Sequence, residues 1–377
     1  MPALGAESAS NASGASRVLV CGPWLWGARR DLWVFGGSAL GALALVLLAH
    51  AFGFAGGALP EWGFLLFVLG VDVAHVYGTL FRTYFDGAEL RARPLRYALT
   101  PLFAFALGVA AFSAGPLVFW RVLAYLALFH FVRQEIGWLR LHRAKAHDLR
   151  FDARLDELCV YVGALYPVLV WHLGLAERRF SWFVPGDFLA PPANWSAALP
   201  LAQVAWLAVL AVFALRQAWL AVDRGVLRAL PCLIVAKTAL IWYVGIVVCN
   251  SDFDFTVTNV VAHGVPYLAL LWGYARERGQ ELRKGPFARF VGLGFLAFFA
   301  SLLCLAAAEE WGWDRWVFHD RDWLFGDGFE LSPRVLRFVV PLLAVPQLTH
   351  YLLDAKLWRS SDTLRLPAQR RALGFRA

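Results

Sequence analysis

Residues 72–86 read DVAHVYGTLFRTYFD. They continue an apolar run, FLLFVLGV, and together the two are long enough to cross a bilayer, yet the stretch carries Asp72, His75 and Arg82. An ionisable group at mid-membrane costs about 2.5–3.5 kcal/mol on insertion scales, so such residues call for a functional reading. A helix turning about 100° per residue sets Asp72, His75, Thr79, Arg82 and Asp86 on one stripe. That stripe must face protein or water, because lipid satisfies none of its hydrogen bonds.

The rest of the chain supports a membrane setting. Of its 377 residues, 60% are hydrophobic and only 16% charged, and it holds 18 Trp and 30 Phe, well to the apolar side of a soluble protein. The expected fold is all-α, a polytopic helical membrane bundle. Ten apolar runs are centred on Leu43, Leu69, Phe105, Leu126, Leu165, Val209, Leu240, Val265, Leu296 and Val345. Basic clusters occupy every second link: Arg91, Arg93 and Arg96 after the second run, Arg140, Arg143 and Lys145 after the fourth, Arg224 and Arg228 after the sixth, and Arg276, Arg278 and Arg283 after the eighth. Arg17 at the head of the chain and Arg359 and Arg365 at its end continue the series. The intervening links are uncharged or acidic, as at Asp252 and Asp254 and from Glu309 to Glu330.

This alternation puts both termini on the cytoplasmic side. The net charge of +8 therefore reads as topology, and no nucleic-acid partner is expected. Residues 1–30 are expected to be a disordered cytoplasmic tail, 31–357 one transmembrane domain, and 358–377 a basic cytoplasmic tail. Arginine-rich, Ala/Leu/Gly-rich usage points to a bacterial inner membrane. Five cysteines without CxxC spacing read as structural thiols.

Three further even-numbered runs repeat the pattern of the opening stretch. FHFVRQEIGW places His130, Arg133 and Gln134 on one face, with Glu135 pointing away. TNVVAHGVPYL aligns Asn259, His263 and Tyr267, and PQLTHYLLDAKLW aligns Gln347, His350 and Asp354. His75, His130 and His350 fall at one depth, slightly inside the midplane. His263 falls about a turn nearer the outside, where Gly264 and Pro266 favour local distortion.

A single membrane histidine is ordinarily a packing residue, but four with polar neighbours a turn away make a shared site the stronger reading. Histidine and carboxylate from several helices build bundle-core metal sites, and that ligand mix with open positions suits non-haem iron. The expected ligands are Asp72, His75, His130, His263, His350 and Asp354. Thr79, Gln134, Asn259 and Gln347 are expected to orient the imidazoles, with Tyr267 aligned beside His263. Arg82 and Arg133 are expected to pair with Asp86 or Asp354, or to bind a lipid headgroup or anionic substrate. Lys237 either pairs with a carboxylate or snorkels. His142 and His147 read as solvated, and His50, His172 and His319 lack the paired stripe. Gly-rich nucleotide loops, GxSxG and HExxH are absent, so the sequence gives no support to ATP hydrolysis or serine-type chemistry.

The stretches DVAH (Asp72–His75), FHFVRQE (Phe129–Glu135), NVVAHG (Asn259–Gly264) and THYLLD (Thr349–Asp354) resemble, as a class, polytopic membrane oxygenases with histidine ligands on transmembrane helices. These are the membrane desaturases and hydroxylases and the Brp/Blh-like carotenoid-cleaving dioxygenases. The clustered HxxxH and HxxHH boxes of the former are missing here, so their residue roles do not carry over. The resemblance implies non-haem iron, or another transition metal, acting on a lipid, isoprenoid or carotenoid, and it leaves room for an electron-transfer partner. A proton- or metal-coupled transporter using the same residues, a haem carrier and a metal-free lipid transferase remain competing readings.

Overall fold

A computed structural model describes residues 20–54, 57–146, 148–357 and 367–375. Arg17, His147, Arg359 and Arg365 lie outside the described residues. The described residues form ten long helices: α1 Ala28–Ala51, α2 Glu61–Arg82, α3 Pro94–Ala114, α4 Pro116–Arg143, α5 Arg150–Leu173, α6 Ala193–Arg224, α7 Ala229–Val248, α8 Asp252–Leu282, α9 Phe295–Phe318 and α10 Pro333–Leu357. Among the described residues nine of them, all but α5, are long and apolar enough to cross a membrane. The expected fifth run does form a helix, but it opens on the charged segment RFDARLDE.

Local chemistry sets several boundaries. Proline opens α3, α4 and α10, where its missing N–H has no helical partner to lose. Gly115, at φ 149°, takes the sharp turn between α3 and α4, in a region glycine tolerates best. Gly294, at φ 97°, halts the chain just before α9. The ninth span therefore starts at Phe295 rather than straddling Leu296, and it reaches Phe318. Glu309 and Glu310 consequently lie inside the span rather than in the outer link.

The terminal segments also differ from expectation. Val20–Cys21 pairs in parallel with Val226–Leu227, Leu25 is buried, and Asp31 accepts hydrogen bonds from the Leu25 and Trp26 amides. From Val20 onward the head of the chain is thus packed on the bundle. At the other end Pro367–Ala372 is a short helix against α8, with Gln369 and Leu373 buried, so the described part of 358–377 is docked rather than a free tail.

Five segments inside the spans are π-helical: Leu32–Gly37, Phe64–Val73, Tyr243–Val248, Thr256–Val260 and Asp314–Phe318. Such i→i+5 turns are rare and concentrate at functional sites. Two of them lead directly into His75 on α2 and His263 on α8. Helix α2 packs on α8, α9 and α10, and α4 packs on α10, so the four histidine-bearing helices meet.

At the end of the bundle that carries the basic links, the buried charges are paired. Asp86 follows the end of α2, caps the short helix Gly87–Ala92, and accepts Arg278 Nε at 2.7 Å and Tyr274 Oη at 2.7 Å. Arg82 pairs with Glu89 at 3.3 Å, not with Asp86. Arg228 bridges Asp148 and Asp156, and His142, expected to be solvated, is buried against Asp148 at 3.4 Å.

Burial by itself would raise the Asp86 carboxyl, but the hydrogen bonds from Arg278 and Tyr274 outweigh it and hold the group below the usual carboxylate range. Its contribution to stability is therefore present above about pH 4, the unfolded value, and is lost as pH falls through the lower folded value. Arg278→Ala leaves a buried unpaired carboxylate, with an expected cost of about 3–5 kcal/mol. Thermal unfolding in detergent should show a much lower midpoint at pH 7 and a smaller further loss on acidification than in the wild type.

Candidate metal centre

His75, His130, His263 and His350 are all buried. Each of His75, His130 and His263 presents a ring nitrogen, and these three atoms lie within 4.8 Å of one another. His350 joins them with its Nε2 3.1 Å from Nε2 of His130 and its ring centroid 5.0 Å from that of His75. His263 is not set a turn away from the others: its ring lies 5.0 Å from His75 and 5.1 Å from His130.

Two features bring His263 in. The π-helical turns at Thr256–Val260 delay the register before it, and Gly264 lets α8 approach α2. A Cβ at Gly264 would stand 2.6 Å from Val71 Cγ1, 3.2 Å from Val71 O and 3.6 Å from His75 Nδ1.

The hydrogen bonds around the rings fix which nitrogens face inward. His75 Nδ1 donates to the Val71 carbonyl at 3.2 Å, and a carbonyl can only accept, so its Nε2 is the lone-pair nitrogen. That Nε2 is buried with no partner, as are both ring nitrogens of His263. His350 Nδ1 meets Thr79 Oγ1 at 2.8 Å. With Nδ1–H donated to Thr79, His350 likewise turns a lone pair inward, toward His130. A hydrogen-bond acceptor on one ring nitrogen with the other aimed into a common space is how metal-binding histidines are held. Nitrogens about 2.0–2.1 Å from one ion stand about 3.3 Å apart in tetrahedral array, so small adjustments of these rings close the set. Phe131 stacks on His263 at 3.8 Å and 6°, and Tyr351 stacks on His130 at 4.5 Å. Neither aromatic residue carries a sequence signal beyond its place beside a histidine.

The carboxylates expected as ligands stand outside this ring. Asp72 Oδ1 is 3.8 Å from His75 Nδ1, the nitrogen that faces away from the cluster, and its side chain is 32% exposed. Asp72 lies toward Glu309 and Glu310 of α9. Asp354 accepts from Tyr267 Oη at 2.8 Å, so a tyrosine separates it from the rings.

Of the four expected orienting residues only Thr79 touches an imidazole. Gln134 donates to the His263 backbone carbonyl at 2.8 Å and Gln347 to Tyr351 Oη at 2.8 Å. Asn259 bonds Phe255 O and Thr258 Oγ1 within its own helix. Lys237 is paired with Glu135 at 2.6 Å beside His263, a contact predictable only once α4 and α7 are known to be neighbours. Arg133 bonds Tyr161 Oη at 2.8 Å rather than Asp86 or Asp354.

A chamber of about 670 Å³ adjoins the cluster. His130, Tyr267 and Tyr351 border it at the level of the histidines, Leu126, Leu348 and Leu352 are among its apolar walls, and Arg133, Arg140 and Lys356 lie toward the basic end. The C-terminal Leu373 and Phe375 also line it. At the end of the bundle away from the basic links, His50 pairs with buried Asp254 at 3.0 Å, with Cys249 Sγ 3.9 Å from the same nitrogen. This is a separate group, remote in sequence from the four-histidine pattern.

Comparison with protein-family models, curated proteins and solved structures gives no match.

Gly264→Ala forces α8 away from α2 and should lower stability by about 1–3 kcal/mol, the usual cost of overpacking. Adding Val71→Ala removes the nearest atom and should recover part of the loss, which thermal unfolding of both variants in detergent will measure.

Proposed function

We propose that this chain is a membrane-embedded metalloenzyme in which His75, His130, His263 and His350 hold a non-haem iron, and that it oxidises a lipid, isoprenoid or carotenoid taken from the bilayer. The observation that carries this reading is the buried set of inward-facing imidazole nitrogens, those of His75 and His263 without a hydrogen-bond partner, beside an apolar chamber. An all-imidazole inner set suits iron, zinc and copper, and the resemblance of these stretches to membrane oxygenases favours iron. Bound there, the metal supplies activation of dioxygen, the oxidant. Cleaving a carbon–carbon double bond with both oxygen atoms retained balances without further electrons. Hydroxylation or desaturation takes two electrons and two protons more, and hence an electron-transfer partner.

The chain's own residues do the rest. The spans exclude water, and the leucine-lined chamber holds an apolar substrate against His130 and Tyr351. The hydrogen bonds His350–Thr79–Tyr267–Asp354, at 2.8, 3.3 and 2.8 Å, connect the rings to the chamber wall and give protons a route. The same series also suits a proton-coupled transporter, the competing reading. The proposal extends to ten crossings of a bacterial inner membrane, α5 included, with both termini on its cytoplasmic side.

Elemental analysis and absorption spectra of protein purified in mild detergent separate the two. The wild type should carry one iron per chain without a haem Soret band, and His75→Ala and His350→Ala should each lose most of it. Metal-free protein in every variant, together with proteoliposome flux abolished by His75→Ala, would establish the transporter instead.

A further inference from the structure

We propose that the chamber beside the four histidines selects a single-chain amphiphile with an anionic head, a long-chain carboxylate or phosphate monoester, whose head is held by Arg133 and Lys356. The proposal rests on reading the chamber as the substrate site, but not on which metal the histidines hold.

Charge pairing in the bundle carries it. Each fully buried cation among the described residues has a carboxylate partner: Arg82 has Glu89, Arg228 has Asp148 and Asp156, Lys237 has Glu135, and Arg278 has Asp86. Arg133 stands outside that fully buried set. It is half-buried in the chamber wall, its polar partner is the neutral hydroxyl of Tyr161, and its guanidinium lies 5.9 Å from the Phe129 ring.

Among the described residues no carboxylate reaches Arg133 or Lys356, whereas Arg140, the third cation of the lining, is occupied by Glu157 at 3.3 Å. A cation against apolar walls is stabilised most by an anion that arrives with apolar surface attached, because charge-assisted bonds are strongest where water is excluded.

Position and size narrow the class. Arg133 follows His130 by three residues on α4, about 4.5 Å along the axis, and Lys356 follows His350 by six on α10, about 9 Å. A head bound between them sits on the basic side of the histidines, and the tail has the Leu126, Leu348 and Leu352 walls to lie against on its way to His130. Asp354 also faces the chamber, but Tyr267 engages its carboxylate, and its charge keeps an anionic head toward Arg133 and Lys356. A volume of 670 Å³ is that of a site for one small molecule, which favours one chain over a two-chain phospholipid. Phe129 is 58% exposed at the chamber wall, giving an entering chain a lipid-facing side.

The test is binding of radiolabelled palmitate and of hexadecanol to the full chain in nanodiscs of zwitterionic phosphatidylcholine, at pH 7.5. Palmitate should bind at least about tenfold more tightly than the alcohol, the scale of one charge-assisted contact. The Arg133→Gln/Lys356→Gln variant should lose that margin while its hexadecanol binding stays unchanged, and Arg133→Lys should retain most of it. Unchanged hexadecanol binding also serves as the check on folding.

His350→Ala should still bind palmitate, so a failed metal assignment leaves this result standing. Equal binding of acid and alcohol, or palmitate binding indifferent to the double substitution, would overturn the proposal. So would displacement of palmitate by phosphatidylglycerol added to the nanodiscs, which would make the occupant a bilayer lipid.

Discussion

Four imidazole rings with neighbouring centroids between 4.6 and 5.1 Å apart are buried together in the core of the bundle. In a bilayer every polar group has to find its partner inside the protein, and a buried, partnerless nitrogen costs about 1–3 kcal/mol. The structure does not spread this cost among separate packing sites. It gathers the rings from α2, α4, α8 and α10, fixes His75 by the carbonyl of Val71 and His350 by the hydroxyl of Thr79, and leaves their other nitrogens directed at one another. That arrangement is costly for a purely structural core and well suited to holding a cation.

The rest of the bundle accommodates the rings. The chain approaches α2 and α8 closely where Gly264 meets Val71, and both helices are wound as π-helix just before their histidines. Deep charges elsewhere are neutralised in pairs: Lys237 with Glu135 beside His263, Arg82 with Glu89, Arg278 with Asp86. The carboxylates of Asp72, Glu309 and Glu310 gather together on one flank.

Much of this was legible in the sequence. Runs of about 20 apolar residues marked the helices, and the spacing of polar groups at three and four residues marked the four histidines; that their helices are neighbours is visible only in the structure. What stayed hidden depended on geometry that an ideal helix does not carry. Regular winding sets His263 a turn too far out, and the π-helical segment before it alters that. Glu309 and Glu310 read as an outer loop when the ninth span is centred on Leu296, whereas the helix runs to Phe318. Glu135 points away from His130, and the charge it neutralises is that of Lys237. Docking of the terminal segments, with Leu25 and Leu373 buried, depends on tertiary contacts that no local pattern announces.

X-ray absorption at the metal edge tests most directly whether these rings share one ion. For the zinc-substituted protein the account predicts a first shell of three or four nitrogens at about 2.0–2.1 Å, with the outer-shell scattering of imidazole, diminished by one ring in His263→Ala. A shell made of oxygen or sulfur, or a spectrum unchanged by loss of His263, would contradict it.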